Sequence, residues 1–114
     1  MNLQRQAATA KAARICELND AFRKSFSGGK VVMTASVAEL PDMVRANALL
    51  EVSRFDRFTG DNDPHGEHDF GSFDLVGRKF FWKIDTLYEE SGVKGADGQP
   101  QPTRVLTLML ADDW

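Results

Sequence analysis

Phe70-Gly71-Ser72-Phe73-Asp74-Leu75-Val76-Gly77-Arg78-Lys79-Phe80-Phe81-Trp82-Lys83-Ile84-Asp85-Thr86-Leu87 decides the fold. Residues 70–76 and 79–87 read as two strands around Gly77-Arg78, because their apolar residues recur at every second position. Glycine at the turn supplies the positive φ that a two-residue hairpin loop needs. In the second strand Phe80, Trp82 and Ile84 fall on one face, and Phe81, Lys83 and Asp85 on the other. One face belongs to a core and the other meets water.

Working outward from this hairpin, Arg104 to Ala111 reads as a further strand. Val105 and Met109 lie on one of its faces, and Leu106, Leu108 and Leu110 on the other. A strand apolar on both sides suits a central position in a sheet. Lys30-Val31-Val32-Met33-Thr34-Ala35 is a short strand by length and β-branched content. Residues 4–26 predict a helix, with Ala8, Ala12, Ile15, Leu18 or Asn19, Phe22 and Phe26 on one stripe and Arg5, Arg14 and Lys24 off it. Ser27-Gly28-Gly29 ends that helix. Pro41-Asp42 opens a second helix that runs to about Phe58, with Val44, Ala48, Leu49, Val52 and Phe55 on its apolar face. Residues 89–102, with their glycines and prolines, read as a mobile loop. The order α-β-α-β-β-β predicts an α+β fold: two helices packed on a mainly antiparallel sheet of about four strands.

A chain of 114 residues, 42% hydrophobic and 27% charged, fits one globular domain over 1–114. With one cysteine, Cys16, no internal disulfide is possible, and its place beside the helix stripe reads as a small buried hydrophobe. The first thirty residues interleave Arg5, Lys11, Arg14, Arg23 and Lys24 with alanines, which is no secretory leader, and no run is long enough to span a bilayer. A cytoplasmic protein without membrane contact is the expectation.

The net charge of −3 gives no general attraction to nucleic acid. Its distribution is uneven: residues 1–30 carry six basic and two acidic side chains, and Asp56 to Asp74 hold six acids against Arg57 alone. Aromatics such as Phe70, Phe73, Phe80, Phe81 and Trp82 fit a core better than a base-stacking platform beside so much negative charge, so direct nucleic-acid binding is not expected.

The densest chemistry lies in Asp61-Asn62-Asp63-Pro64-His65-Gly66-Glu67-His68-Asp69. Both histidines of the chain are here. The segment matches a calcium loop only at its start, because His65 stands at the fifth position and Ser72 where a bidentate glutamate belongs. His65 and His68 with a carboxylate could hold zinc, but no third distant ligand is legible, so no metal or cofactor is expected. A histidine between carboxylates also suits acid–base catalysis. Yet no Gly-x-Ser-x-Gly, P-loop, His-Glu-x-x-His or Cys-x-x-Cys accompanies it. Asp and Asn side chains equally well tie a turn to its own backbone, with His68 then bonded to a carbonyl or to Asp85.

Thr59 to Phe73, Phe81-Trp82-Lys83-Ile84-Asp85 and Thr103 to Ala111 together resemble a bacterial family known only as domain of unknown function 3768, from about Ile15 onward. That family is similar to small accessory proteins of plasmids, phages and other mobile elements, and it carries no activity to transfer. Its members often have tyrosine where this chain has His65 and an acid where it has Gly60.

These readings lead to a small non-enzymatic interaction protein, an accessory or anti-defence protein of a mobile element. It would meet a basic protein partner through Asp61, Asn62, Asp63, Glu67, His68 and Asp69, with the carboxylates turned outward. The alternative is a hydrolase or lyase using His68 with Asp61 or Glu67, in one version metal-assisted. A plain structural subunit or homodimer is the third reading.

Overall fold

The computed structural model of the chain describes residues 3–88 and 102–114. The sequence of elements is α1 (Leu3–Ser25), β1 (Gly29–Met33), α2 (Ala35–Ala38), α3 (Asp42–Arg54), β2 (Phe70–Leu75), β3 (Arg78–Leu87) and β4 (Thr103–Leu110). A single 3-10 turn, Ala111–Asp113, follows β4. The four strands form one sheet in the order β1-β4-β3-β2. β4 pairs antiparallel with β3 and parallel with β1, while β2 and β3 form the expected hairpin. The fold is α+β with a mixed sheet. The doubly apolar β4 occupies an inner position, as its composition requires.

The core lies on one face of the sheet. Phe73, Phe80, Trp82, Ile84, Leu106, Leu108 and Leu110 point from the strands toward Phe22 of α1, Val37 of α2, and Ala48 and Val52 of α3. Each such side chain contributes about 1.5–3 kcal/mol through removal from water. Trp82 sits at the centre, edge-on to Phe55 at 5.6 Å and to Phe58 at 6.2 Å between ring centroids. Its cross-strand partner is Gly71, where a Cβ would lie 2.5 Å from the indole Nε1. Glycine at this point of β2 makes room for the ring. On the opposite face Phe70, Phe81 and Trp114 form a small aromatic group.

Three local boundaries differ from the sequence reading. The hairpin turn is Val76-Gly77, not Gly77-Arg78, since Leu75 pairs with Arg78. Both turn residues have positive φ, +49° and +74°, as a type I′ turn requires, so a β-branched residue occupies a left-handed position. α3 stops at Arg54, four residues before Phe58, because Phe55 turns to extended backbone and dives into the core. The chain also forms the one-turn α2 where strand was expected to continue through Ala35. Asp113 holds that turn against the end of β4. Its carboxylate accepts hydrogen bonds from Thr34 Oγ1 at 2.7 Å, Ser36 Oγ at 2.5 Å and the Leu110 amide at 2.9 Å. The mobile loop expected over 89–102 lies, except for Pro102, outside the described residues.

Candidate functional site

Residues 59–69 connect α3 to β2 and fold on themselves first. Asn62 Oδ1 accepts from the Thr59 amide at 2.7 Å, and Asn62 Nδ2 donates to the Arg57 carbonyl at 2.9 Å. The Asp63 amide donates to the Thr59 carbonyl and the Gly66 amide to the Asp63 carbonyl. Gly66 takes φ +66°, and His68 then takes φ +53°, a left-handed conformation in which histidine is several-fold enriched among residues with side chains. Asp63 fixes that kink by accepting the His68 amide at 3.1 Å.

The kink aims the His68 ring at α1. Nδ1 is 3.0 Å from both carboxylate oxygens of Asp20, and Nε2 is 3.5 Å from Asp63 Oδ2. Phe58 stacks on the imidazole face at 3.7 Å with the planes 3° apart. Two carboxylates and one ring thus define the histidine on three sides. Asp20 itself receives a hydrogen bond from Arg23 at 2.8 Å. Partial burial pushes the Asp20 carboxyl upward, but the hydrogen bonds and charges of Arg23 and His68 outweigh that and hold it below its ordinary value.

Arg23 is 1% exposed and serves a second element. Its Nη1 donates to the carbonyls of Val52 at 2.8 Å and Phe55 at 2.9 Å, with Ser53 at 3.4 Å. These carbonyls lie at the C-terminal end of α3, where helical N–H donors run out, and the Val52 carbonyl also accepts the Phe55 amide at 3.3 Å. The guanidinium also lies over Trp82 at 5.3 Å and Phe58 at 5.4 Å. One helical turn earlier on α1, buried Asn19 donates to the Glu67 carbonyl at 3.0 Å and accepts from Arg104 Nε at 2.9 Å. α1 therefore grips the loop at Glu67 and His68, the end of α3 and the start of β4.

The loop residues singled out in the sequence divide into two groups. Asp61 and Asp69 are exposed and Glu67 is half-buried. Asn62 and Asp63 turn into the loop; the Asp63 side chain is only 6% exposed. His65 is exposed and apart from His68. His68 pairs with Asp20 and Asp63 rather than with Asp61, Glu67 or Asp85; Asp85 faces Lys83 at 3.0 Å. An open cleft of about 360 Å³ adjoins the ring, lined in part by Asp20, Arg23, Lys24, Arg54, Phe58 and His68. Cys16, half-buried, sits one turn before Asp20 with its Sγ 3.7 Å from Asp20 Oδ2. Burial, then the Asp20 charge, pushes its thiol up from the ordinary value. Among the described residues, Cys16, Asp20 and His68 are the set whose donor atoms converge closely enough for one metal ion.

Asn19, Asp20 and Arg23 were not legible as site residues. The available signal was polar side chains on an apolar stripe: Asn19 and Arg23 are four apart, next to Phe22.

Fold and site together define a small α+β protein in which an N-terminal helix clamps a histidine-bearing loop. The chain belongs to the family described as "Protein of unknown function (DUF3768)", whose model matches residues 33–113. The loop and His68 fall within that span; Cys16, Asp20 and Arg23 precede it. No curated protein and no solved structure matches the chain. Among the described residues no helix is long and apolar enough to cross a membrane.

Proposed function

We propose that this is a non-enzymatic interaction protein that presents its 59–69 loop, fixed in shape by α1, to a basic surface on a protein partner. The observation that carries the proposal is the state of His68. Both ring nitrogens face carboxylates and one ring face is covered by Phe58, so the ring fastens the loop to α1. The same bonds fix the loop while Asp61 and Asp69 stand outward. A loop already ordered before binding loses little entropy on docking, and outward carboxylates raise the rate of encounter with a cationic patch. In keeping with an accessory protein of a mobile element, the partner would be a nucleic-acid-handling protein of a host defence system, with Asp61, Glu67 and Asp69 taking phosphate positions.

Recovery of partners from host lysate by the native protein and by Asp61→Asn/Glu67→Gln/Asp69→Asn tests this. The variant is expected to lose a partner that the native protein releases at raised salt. Equal recovery by both forms removes the proposal. A hydrolase or lyase reading has one observation in its favour, the Asp20–His68 pair beside an open cleft. It requires turnover of a model ester or phosphoester that His68→Gln abolishes.

A further inference from the structure

We propose that Cys16, Asp20 and His68 form a binding site for a single divalent ion of the zinc class, with Asp63 orienting the imidazole from behind. This inference does not rest on the partner-binding reading: it shares His68 of the loop with it and adds Cys16 and Asp20 of α1.

The donor set is that of a borderline-soft transition ion: one thiol sulfur, one carboxylate oxygen and one imidazole nitrogen. Cys16 and Asp20 are four apart on α1, so helix geometry stacks them on one face. The loop brings His68 to them from 48 residues away. The three donor atoms lie within 4.8 Å of one another. A tetrahedral Zn²⁺ with bonds of about 2.0 Å to N and O and about 2.3 Å to S separates its N and O ligands by roughly 3.3 Å and its S and O ligands by roughly 3.6 Å. Here His68 Nδ1 and Asp20 are 3.0 Å apart, and Cys16 Sγ and Asp20 Oδ2 are 3.7 Å apart. These two separations lie within a few tenths of an ångström of the tetrahedral values, and the Cys16 and His68 donors close the remaining edge within 4.8 Å.

Asp20 divides its oxygens between two duties. Arg23 donates to Oδ1, while Oδ2 lies between the other two donors, 3.7 Å from Cys16 Sγ and 3.0 Å from His68 Nδ1, and an ion seated among the three replaces these present contacts. The second independent observation is Asp63. Histidines that ligate zinc through one nitrogen nearly always give the other N–H to a carboxylate or carbonyl, which sets the tautomer and raises donor strength. Asp63 Oδ2 stands 3.5 Å from Nε2 on a side chain that is almost wholly buried, and the same carboxylate fixes the His68 backbone. Binding releases the Cys16 thiol proton to solvent, and three protein ligands leave the fourth position to water.

The test is titration of the metal-free, full-length protein with Co²⁺, followed by absorption spectroscopy and then by competition with Zn²⁺. The expected result is one Co²⁺ per chain, with a thiolate-to-cobalt charge-transfer band in the near ultraviolet that Zn²⁺ abolishes. Cys16→Ser, a change on a half-buried helix position, is expected to fold as shown by circular dichroism and to lose the band. Asp63→Asn is expected to keep the band and to weaken Zn²⁺ binding by about 10–100-fold. His65→Gln, outside the cluster, should bind as the native protein does. Absence of the band at excess Co²⁺, or its persistence in Cys16→Ser, overturns the site; unchanged affinity in Asp63→Asn overturns the role given to Asp63.

Discussion

Replacing Arg23 by methionine keeps the length and most of the apolar stem but removes every donor that ties α1 to α3. In the native protein the guanidinium is 1% exposed and donates to the Val52 and Phe55 carbonyls and to Asp20. Methionine leaves the buried Phe55 carbonyl without this donor and the Val52 carbonyl with only the Phe55 amide at 3.3 Å, and each buried unsatisfied group costs about 1–3 kcal/mol. Asp20 also loses its closest cation. Asp20 is 24% exposed and keeps His68, so its share falls below the about 3–5 kcal/mol of a fully buried pair, and the methionine stem returns part of the packing. The net loss is about 2–4 kcal/mol, against a total of about 5–15 kcal/mol for a domain of this kind. Urea unfolding followed by tryptophan fluorescence measures it, since Trp82 lies directly under the guanidinium. At a slope of about 1–3 kcal/mol/M the midpoint falls by about 2 M with the slope unchanged. Arg23→Lys should recover only a minority of the loss, because an ammonium cannot fork between α3 and Asp20. A change below about 1 kcal/mol for Arg23→Met would show that the carbonyls find other partners and that α1 does not clamp the end of α3.

Val76 is a β-branched residue at φ +49° in the hairpin turn and is largely exposed, so Val76→Asn is expected to stabilise the protein by about 0.5–1 kcal/mol in thermal or urea unfolding. Gly71→Ala places a Cβ 2.5 Å from Trp82 Nε1 and is expected to cost about 1–3 kcal/mol, with a shift in Trp82 fluorescence as the ring is displaced. Hydrogen bonds from Ser36 and Thr34, then from the Leu110 amide, hold the Asp113 carboxyl below its ordinary value of 3.8. Its folded value is depressed, so its contribution is complete above that ordinary value and is lost as pH falls through the folded one. Acid unfolding of Asp113→Asn should therefore differ from the native protein near neutrality and converge with it at the lowest pH, and an offset that is constant with pH would contradict the assignment.

The fold was legible where physics acts locally. Period-two apolar residues marked β3, and the double apolar character of β4 marked its inner position. Turn and helix ends were less legible because tertiary packing decides them. Phe55 leaves the helix because the core beside Trp82 accepts its ring, and the Val76-Gly77 turn follows from a register that places Phe73 opposite Phe80 and Leu75 opposite Arg78. The parallel pairing of β1 with β4 has no mark in either strand. The loop showed its chemistry but not its orientation. Charge counting treated Asp61, Asp63, Glu67 and Asp69 alike, whereas Asp63 spends both oxygens on His68. The partner that turns His68 inward, Asp20, lies 48 residues away on a helix whose polar residues read as solvated surface.

A fixed loop surface depends on the bonds of His68 to Asp63 and Asp20. Native-state hydrogen exchange at the His68 amide, which donates to Asp63 Oδ1, reads that directly. The expected result is protection close to that of the neighbouring Ile84 amide, which donates to the Asp69 carbonyl, with Asp20→Ala releasing the His68 amide and leaving Ile84 protected. Exchange of the His68 amide in the native protein at the rate of an open chain would contradict it.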